Sequence, residues 1–368
     1  MSIDNISNPI ILYFTLSVAS AIIALIACIY LLFRKGNAFS PDITSPMPLR
    51  RWAAAFYAVI FFAHIWWILF LVYSNDVHSL LYVLLCSIDC VTLLTTIAGT
   101  LLTMLQDRKR HVWPVIIVTL PYMALFLLHH FYPGNNFYTI AAAYIMLCYL
   151  IFAVYIAFAV KKYGRWLRDN YADLENKEVW QSYILIIVFS MFIFTYGFDT
   201  GNIVIGYIVQ VIILVLLVFM LWRVETLPQL ENVVIEEQPD QPEEQLEESA
   251  SQPLAIPSNI EELLDERCVA TQLYLQHDIN LPQLAKILGT NRTYLSQYFS
   301  YQGITFNAYI NNLRINHFTK LYREAVSAGK TVIVKQLASE SGFRSYSTFS
   351  LAFKQRMGQS VTTWMQDM

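Results

Sequence analysis

Seven long apolar stretches limit the architecture of this chain more than any other feature. They cover residues 10–33, 52–73, 79–105, 113–131, 138–160, 181–198 and 203–222. Each has about 18 to 27 residues, and about 20 apolar residues cross the hydrocarbon core of a bilayer as one helix. The first stretch is not expected to be a cleaved signal peptide, because it has no basic leader and its apolar run is too long. The sequence therefore predicts a bundle of seven transmembrane helices over residues 1–223.

Basic residues lie on only one side of the predicted membrane domain. The loops after the first, third and fifth spans carry twelve of them: Arg34, Lys35, Arg50, Arg51, Arg108, Lys109, Arg110, Lys161, Lys162, Arg165, Arg168 and Lys177. The opposite segments, 1–9, 74–79, 132–137 and 199–202, carry none. Because cytoplasmic loops hold the excess of Lys and Arg, the N-terminus is predicted outside. Everything after Arg223 is then predicted in the cytoplasm.

Two ionisable residues lie inside predicted spans, where a charge is costly. Asp89 is about ten positions from the outer end of the third span, and His64 is about nine from the outer end of the second. At 1.5 Å per residue both are roughly 14 Å deep on antiparallel neighbours. One hypothesis pairs them as a ligand or proton sensor. In the alternative, His64 is simply packed, and Asp89 is protonated or bonded to Thr92 or a neighbouring helix.

The last third of the chain carries one helix-turn-helix pattern twice. The first copy reads LPQLAKILGTNRTYLSQYFS (281–300) and the second reads VKQLASESGFRSYSTFSLAFKQRMG (334–358). In each copy a Leu-Ala pair precedes a turn glycine, Gly289 or Gly342, 53 positions apart (289 to 342). Glycine supplies the positive φ that such a turn needs. Between the copies the pattern predicts a helix over about residues 306–325, roughly 30 to 35 Å long. That length is close to one turn of B-DNA, so recognition helices at its ends could enter successive major grooves.

Residues of about 258–366 resemble the DNA-binding domain of AraC-family transcription regulators over its whole length. The matching residues are Leu284, Ala285, Gly289, Leu295, Phe299, Gly303, Phe306, Tyr309, Arg314, Leu337, Ala338, Gly342, Phe343, Ser345, Phe349, Phe353, Lys354 and Gly358. Two departures are Phe318, where the family usually has Ala, and Val361, where a Pro is usual; both are interpreted as packing changes. The resemblance implies a double helix-turn-helix domain that binds duplex DNA. The predicted fold class of the whole chain is all-α.

Recognition helices point their N-terminal and outward residues at base edges. In the first copy Leu295 and Phe299 are expected to face the core. The outward residues are then Arg292, Thr293, Ser296 and Gln297. The resemblance places the last three at base-reading positions and Arg292 near a phosphate.

In the second copy the outward residues are Tyr346, Ser347, Thr348 and Leu351. Arg344 and Lys354 are placed to contact the DNA backbone. Leu351 stands where relatives often carry a long polar residue. It could instead make an apolar contact with a thymine methyl group.

The charge of the chain changes abruptly after the last span. Residues 225–266 include 13 acidic residues and no basic one, whereas from residue 267 onward there are 11 Lys and Arg against 4 Asp and Glu. The acidic, proline-containing stretch 224–257 is expected to be a disordered linker, acting either as a solvated spacer or as an autoinhibitory mimic of DNA. Ser258 and Glu261 form a capping-box pattern, so the DNA-binding domain is predicted over residues 258–368. Its basic charge suits a polyanionic partner.

Together these features predict a sequence-specific transcription regulator integrated in a bacterial cytoplasmic membrane, whose seven helices sense an unknown signal. The expected partners are double-stranded DNA, the lipid bilayer, a small-molecule or membrane signal, and a second copy of the chain in a homodimer. No enzyme activity, cofactor or metal is expected. The last span has no Lys for a retinal Schiff base, HExxH and GxSxG motifs are absent, and the five cysteines show no metal-ligand spacing. The alternative is a seven-helix receptor whose C-terminal domain docks a protein partner instead of DNA.

Overall fold

A computed structural model describes residues 8–73, 79–181, 183–184, 203–230 and 260–367. These residues form two compact units, one within Met1–Tyr163 and Val179–Leu230, the other within Gly164–Glu178 and Glu231–Met368. The residues just after the fifth apolar stretch therefore cluster with the C-terminal unit. The described part of the chain is built from helices, without a named strand, which confirms the predicted all-α class.

The N-terminal unit is built from six long helices in the part of the chain described. They are α1 (Asn8–Phe33), α2 (Met47–Tyr73), α3 (Leu80–Met104), α4 (Trp113–Phe131), α5 (Phe137–Asn170) and α6 (Ile203–Thr226). Each is long and apolar enough to cross a membrane, and together they account for six of the seven predicted spans. The predicted span at 181–198 lies outside the described residues except for 181, 183 and 184. The number seven therefore stays a prediction. The linker predicted over 224–257 starts too early, because residues 224–226 belong to α6 and residues 227–230 are described as part of the N-terminal unit. The rest of the predicted linker, 231–257, lies outside the described residues and stays a prediction.

Small side chains allow the first helices to approach one another closely. Backbones come together where residues are small, as between transmembrane helices generally. The ring of Trp52 on α2 covers Gly99 of α3, and a Cβ added to Gly99 would lie 2.3 Å from that ring. Five alanines of α1 and α2 are buried: Ala21, Ala24, Ala27, Ala53 and Ala54.

Buried polar groups fasten the end of α6 to the rest of this unit. Glu225 Oε1 pairs with Arg34 Nε at 3.1 Å, and Glu225 Oε2 accepts a hydrogen bond from Tyr30 OH at 3.0 Å. Further along, Gln106 Oε1 accepts from Leu230 N at 2.9 Å. The chain is thus held to the N-terminal unit as far as Leu230.

The C-terminal unit contains two helix-turn-helix pairs joined by a long helix. Its helices are α7 (Ile260–Leu264), α8 (Leu281–Leu288), α9 (Arg292–Tyr301), α10 (Phe306–Ser327), α11 (Val334–Glu340), α12 (Tyr346–Met357) and α13 (Val361–Gln366). Helices α8 and α9 form the first pair, and α11 and α12 form the second. Helix α10 connects them, as the sequence pattern predicts.

Side-chain caps begin the helices of the first pair, and glycine ends one of them. Asn280 Oδ1 accepts from Gln283 N at 2.9 Å, and Gln283 Oε1 accepts from Asn280 N at 3.2 Å, which is a reciprocal capping box at the start of α8. Gly289 ends α8 with a φ of 74°, in the left-handed region that favours glycine. Asn291 Oδ1 accepts from Tyr294 N at 2.8 Å and caps α9.

Each helix-turn-helix pair has its own hydrophobic core. The first core is centred on Leu284, Leu295, Phe299 and Phe306. The second is centred on Phe318, Phe349, Phe353 and Trp364. The ring centres of Phe318 and Phe349 are 4.5 Å apart, and Val361 is buried in the same core. The two departures from the AraC pattern are therefore both core residues.

Arg314 joins the two halves of this unit from a fully buried position on α10. Its Nε donates to Tyr274 O at 2.7 Å, and its Nη2 donates to Gln276 O at 2.7 Å. Its guanidinium carbon lies 5.6 Å from the centre of the Phe343 ring. Burial lowers the pKa of Arg314 to about 10, so the side chain stays charged at neutral pH.

Candidate nucleic-acid interface

Helix α9 has one buried face and one face open to solvent. Leu295 and Phe299 are buried in the first core, as expected from the sequence pattern. Thr293, in the first turn, is exposed, and Ser296 and Gln297 are partly exposed on the same side. A helix that presents polar residues beside its N-terminus while its other face is packed has the form of a recognition helix.

Helix α12 repeats this arrangement with more apolar residues on its open face. Ser345 Oγ accepts from Thr348 N at 3.3 Å and caps the helix, and the Thr348 hydroxyl lies 3.0 Å from the same oxygen. Tyr346 is 42% exposed and Leu351 is 61% exposed. Ser347 and Lys354 are also exposed. The second open face therefore offers hydroxyl groups, one cation and one aliphatic side chain.

Helix α10 has a length that suits the spacing of DNA grooves. It contains 22 residues, which at 1.5 Å per residue gives a length of about 33 Å. Successive major-groove segments on one side of B-DNA are about 34 to 36 Å apart. The helix that connects the two pairs thus agrees with the length expected from the sequence.

Two arginines, one at the start of α9 and one just before α12, are held by oxygen atoms of other side chains. Arg292 Nε donates to Asn170 Oδ1 at 3.0 Å, and burial lowers the pKa of its guanidinium. Arg344 donates to Asp278, and Arg344 Nε lies 3.7 Å from Asp173 Oδ2. Both Asn170 and Asp173 come from Gly164–Glu178, the piece of chain that clusters with this unit.

The two residues predicted as a sensor have different hydrogen-bond partners. His64 Nε2 is 3.2 Å from Gln210 Oε1, and its Nδ1 is 2.8 Å from the carbonyl oxygen of Ile60. Asp89 Oδ2 accepts from Trp66 Nε1 at 2.5 Å. Among the described contacts, none is a hydrogen bond or ion pair between His64 and Asp89. Their joint role in sensing stays a prediction.

Several polar partners at these positions were missed by sequence reasoning. Gln210 was visible as a lone amide in the last apolar stretch, and its carbonyl oxygen also accepts from Ser20 at 3.3 Å. Asn170 and Asp173 carried no such signal, because they lie at the end of α5 and in the short polar loop after it, far from the C-terminal domain in sequence. Within the described ranges, no group of three or more His, Cys, Asp or Glu side chains is arranged to hold a metal ion.

Comparison with known protein families finds a match in the C-terminal unit. Residues 284–367 match the family model described as a helix-turn-helix domain. The match starts within α8, ends just after α13, and so includes both helix-turn-helix pairs. Searches of curated proteins and of solved structures found no match to the chain.

Proposed function

We propose that this chain, whose C-terminal domain is an AraC-type helix-turn-helix domain, is a membrane-integrated transcription regulator that binds specific duplex DNA. The observation that carries the proposal is the pair of recognition helices, α9 and α12, each packed on one face and open on the other. Two such helices in one chain can read adjacent major-groove segments. Binding affinity would come mainly from phosphate contacts, and specificity from base contacts.

Helix α9 supplies the more polar of the two reading surfaces. Thr293, Ser296 and Gln297 would contact base edges, because they occupy the exposed side near the helix N-terminus. Gln297 can form a bidentate contact with adenine, a pairing that geometry favours in the major groove. Arg292 would contact a phosphate.

Helix α12 supplies a second, more apolar surface. Tyr346, Ser347 and Thr348 would lie at the base edges, while the exposed Leu351 suits a thymine methyl group. Arg344, before the helix, and Lys354, near its end, would contact the sugar-phosphate backbone of the DNA. We expect the second half-site to show weaker sequence preference than the first.

The N-terminal unit would hold the regulator in a bacterial cytoplasmic membrane and sense its signal. Six described helices can span a membrane, and a seventh span at 181–198 completes the proposed bundle. The twelve basic loop residues favour an outside N-terminus, which places the DNA-binding domain in the cytoplasm. Polar groups inside the helices, among them His64 with Gln210 and Asp89 with Trp66, are the proposed sensor.

Binding by the C-terminal fragment, residues 258–368, tests this proposal. The fragment contains every residue of the two cores except Ala172. We expect it to select a two-part site from a random duplex library. Gln297→Ala should relax the preference at one half-site by about 1 to 3 kcal/mol. Arg292→Ala should weaken binding to all duplex sequences alike. It should also reduce the slope of log affinity against log salt concentration by about one unit. A fragment that folds but selects no duplex would contradict the proposal.

A protein-docking function for the same surface has one observation in its favour. Tyr346 at the start of α12 and Leu351 near its centre expose apolar surface, and aromatic residues are enriched at protein interfaces. Such a function predicts that Leu351→Gln abolishes partner binding, whereas in the DNA-binding case it changes affinity only at thymine-containing sites. The library selection separates the two functions.

A further inference from the structure

Residues 170–178, here called the docking loop, are built into the C-terminal unit. The loop begins at Asn170, the last residue of α5, and ends more than eighty positions before Ile260, the first residue of α7. Tyr171 forms an isolated antiparallel bridge with Asn280, and Ala172 N donates to Ile279 O at 3.2 Å. Ala172 is fully buried in the first core. The loop thus supplies both backbone pairing and a core residue to a domain remote in sequence.

Two side-chain amides hold the start of the docking loop. Asn307, in the first turn of α10, donates to the carbonyl oxygens of Ala172 at 2.6 Å and Tyr171 at 3.3 Å. Asn170 is buried, and its Nδ2 donates to Trp166 O at 2.7 Å, which fixes the direction of its side chain. The Oδ1 atom of Asn170 is thereby aimed at Arg292.

A buried carboxylate in the middle of the loop faces two cations. Asp173 Oδ2 lies 3.9 Å from Lys177 Nζ and 3.7 Å from Arg344 Nε. Asp173 Oδ1 accepts from Glu175 N at 3.0 Å, so the carboxylate has a fixed orientation. Burial lowers the pKa of Lys177, and the charge of Asp173 opposes that effect. Asp173 is the loop residue that carries negative charge to Arg344.

These contacts occupy the groups that DNA phosphates would need. Asn170 and Asp173 present oxygen atoms to Arg292 and Arg344, the two arginines assigned to phosphate contacts. Asp173 adds to the contact that Arg344 makes with Asp278 within the same unit. Tyr171 lies opposite Asn280, the N-cap of α8, and helix N-termini are common phosphate sites. A DNA backbone and the docking loop therefore require the same side-chain donors.

We propose that the docking loop is an intramolecular competitor of DNA, which holds the C-terminal domain in a DNA-free state until the loop is withdrawn. This inference rests on the proposed function and adds its control. The docking loop is covalently continuous with α5. A movement of that helix would therefore be transmitted to the DNA-binding surface through the loop, and not through residues 224–257. The release step changes a binding equilibrium and requires no covalent chemistry.

A pair of matched charge variants tests the competition. Asp173→Asn and Asp169→Asn each remove one negative charge from the same short region, but Asp169 is exposed whereas Asp173 faces Arg344. The full chain in phosphatidylcholine nanodiscs would be titrated with a fluorescent mixed-sequence duplex at low salt. Apparent affinity falls in proportion to the competent fraction, so Asp173→Asn should lower the Kd by about three- to tenfold relative to Asp169→Asn. Equal Kd values for the two variants would overturn the proposal.

A disulfide lock tests the same idea in the opposite direction. Tyr171 and Asn280 lie opposite each other in the bridge, where Cα atoms are about 4.5 Å apart, within the range that a disulfide spans. Oxidation of the Tyr171→Cys, Asn280→Cys chain should raise the Kd at least about tenfold, and reduction should restore it. The Kd of the parent chain should be the same before and after the same oxidation treatment.

The outcomes also separate this inference from the proposed function. Equal binding by the oxidised and reduced chains would show that a docked loop is compatible with DNA, and would overturn the competition alone. A reduced chain that binds no duplex, together with an inactive fragment, would overturn both.

Discussion

Replacement of Arg314 by Met should destabilise the C-terminal domain strongly. The guanidinium makes two charge-assisted hydrogen bonds at 2.7 Å, to Tyr274 O and Gln276 O, and lies over the Phe343 ring. Bonds of this kind contribute about 1.5 to 3 kcal/mol each, and a cation–π contact adds about 0.5 to 2 kcal/mol. Methionine fills the volume and recovers part of this by burial. We therefore expect the free energy of unfolding to fall by about 3 to 5 kcal/mol.

Urea unfolding of the 258–368 fragment measures this change. Trp364, the only Trp in the fragment, is buried in the second core and reports its unfolding by fluorescence. With an m-value of about 1 to 3 kcal/mol per molar urea, the midpoint should drop by at least about 1 M. The matched control is Lys320→Met, which removes a positive charge from an exposed position on the same helix, where the pair with Glu324 is worth less than about 1 kcal/mol. Equal midpoints for the two variants would refute the role assigned to Arg314.

Three other predictions concern the turn of the second pair, the topology and the proposed sensor. In the same unfolding assay, Gly342→Ala should lower the free energy of unfolding by at least about 2 kcal/mol more than Gly358→Ala. Both glycines have a positive φ, but only a Cβ on Gly342 would overlap the backbone, at 2.8 Å from Leu275 Cα. A cysteine at the exposed Asn135 should react with an impermeant thiol reagent in intact cells, whereas one at Gly164 should not; the reverse pattern would contradict the orientation. Asp89→Asn should lock reporter output high or low at normal membrane abundance, and an ordinary response would leave Asp89 with a packing role only.

Much of the fold could be predicted from local patterns. Apolar stretches about 20 residues long have few alternatives to a transmembrane helix, and six of the predicted spans are helices that could cross a membrane. The turn glycines and the apolar spacing around Leu295 and Phe349 likewise marked the two helix-turn-helix pairs. Each of these patterns lies within a short window of sequence, so a single sequence is enough to recognise it.

The contacts that give the candidate site its specific form could not be predicted in this way. Asp173 was one polar residue among many in a loop, and nothing within the loop indicates its approach to Arg344. Likewise, equal depth in the membrane suggested that His64 and Asp89 face each other, but rotation about each helix axis decides that. In the structure His64 is directed to Gln210 and Asp89 to Trp66. Long-range pairing depends on packing geometry, which a single sequence does not display.

The most direct test of the central claim is chromatin immunoprecipitation of the intact, membrane-inserted chain. It should be compared with the Thr293→Ala, Gln297→Ala double variant at equal membrane abundance. The parent chain should enrich a small set of discrete DNA sites that share a two-part sequence, and the variant should lose them. Equal recovery of those sites by the variant, or no enrichment by the parent chain, would contradict DNA recognition through α9.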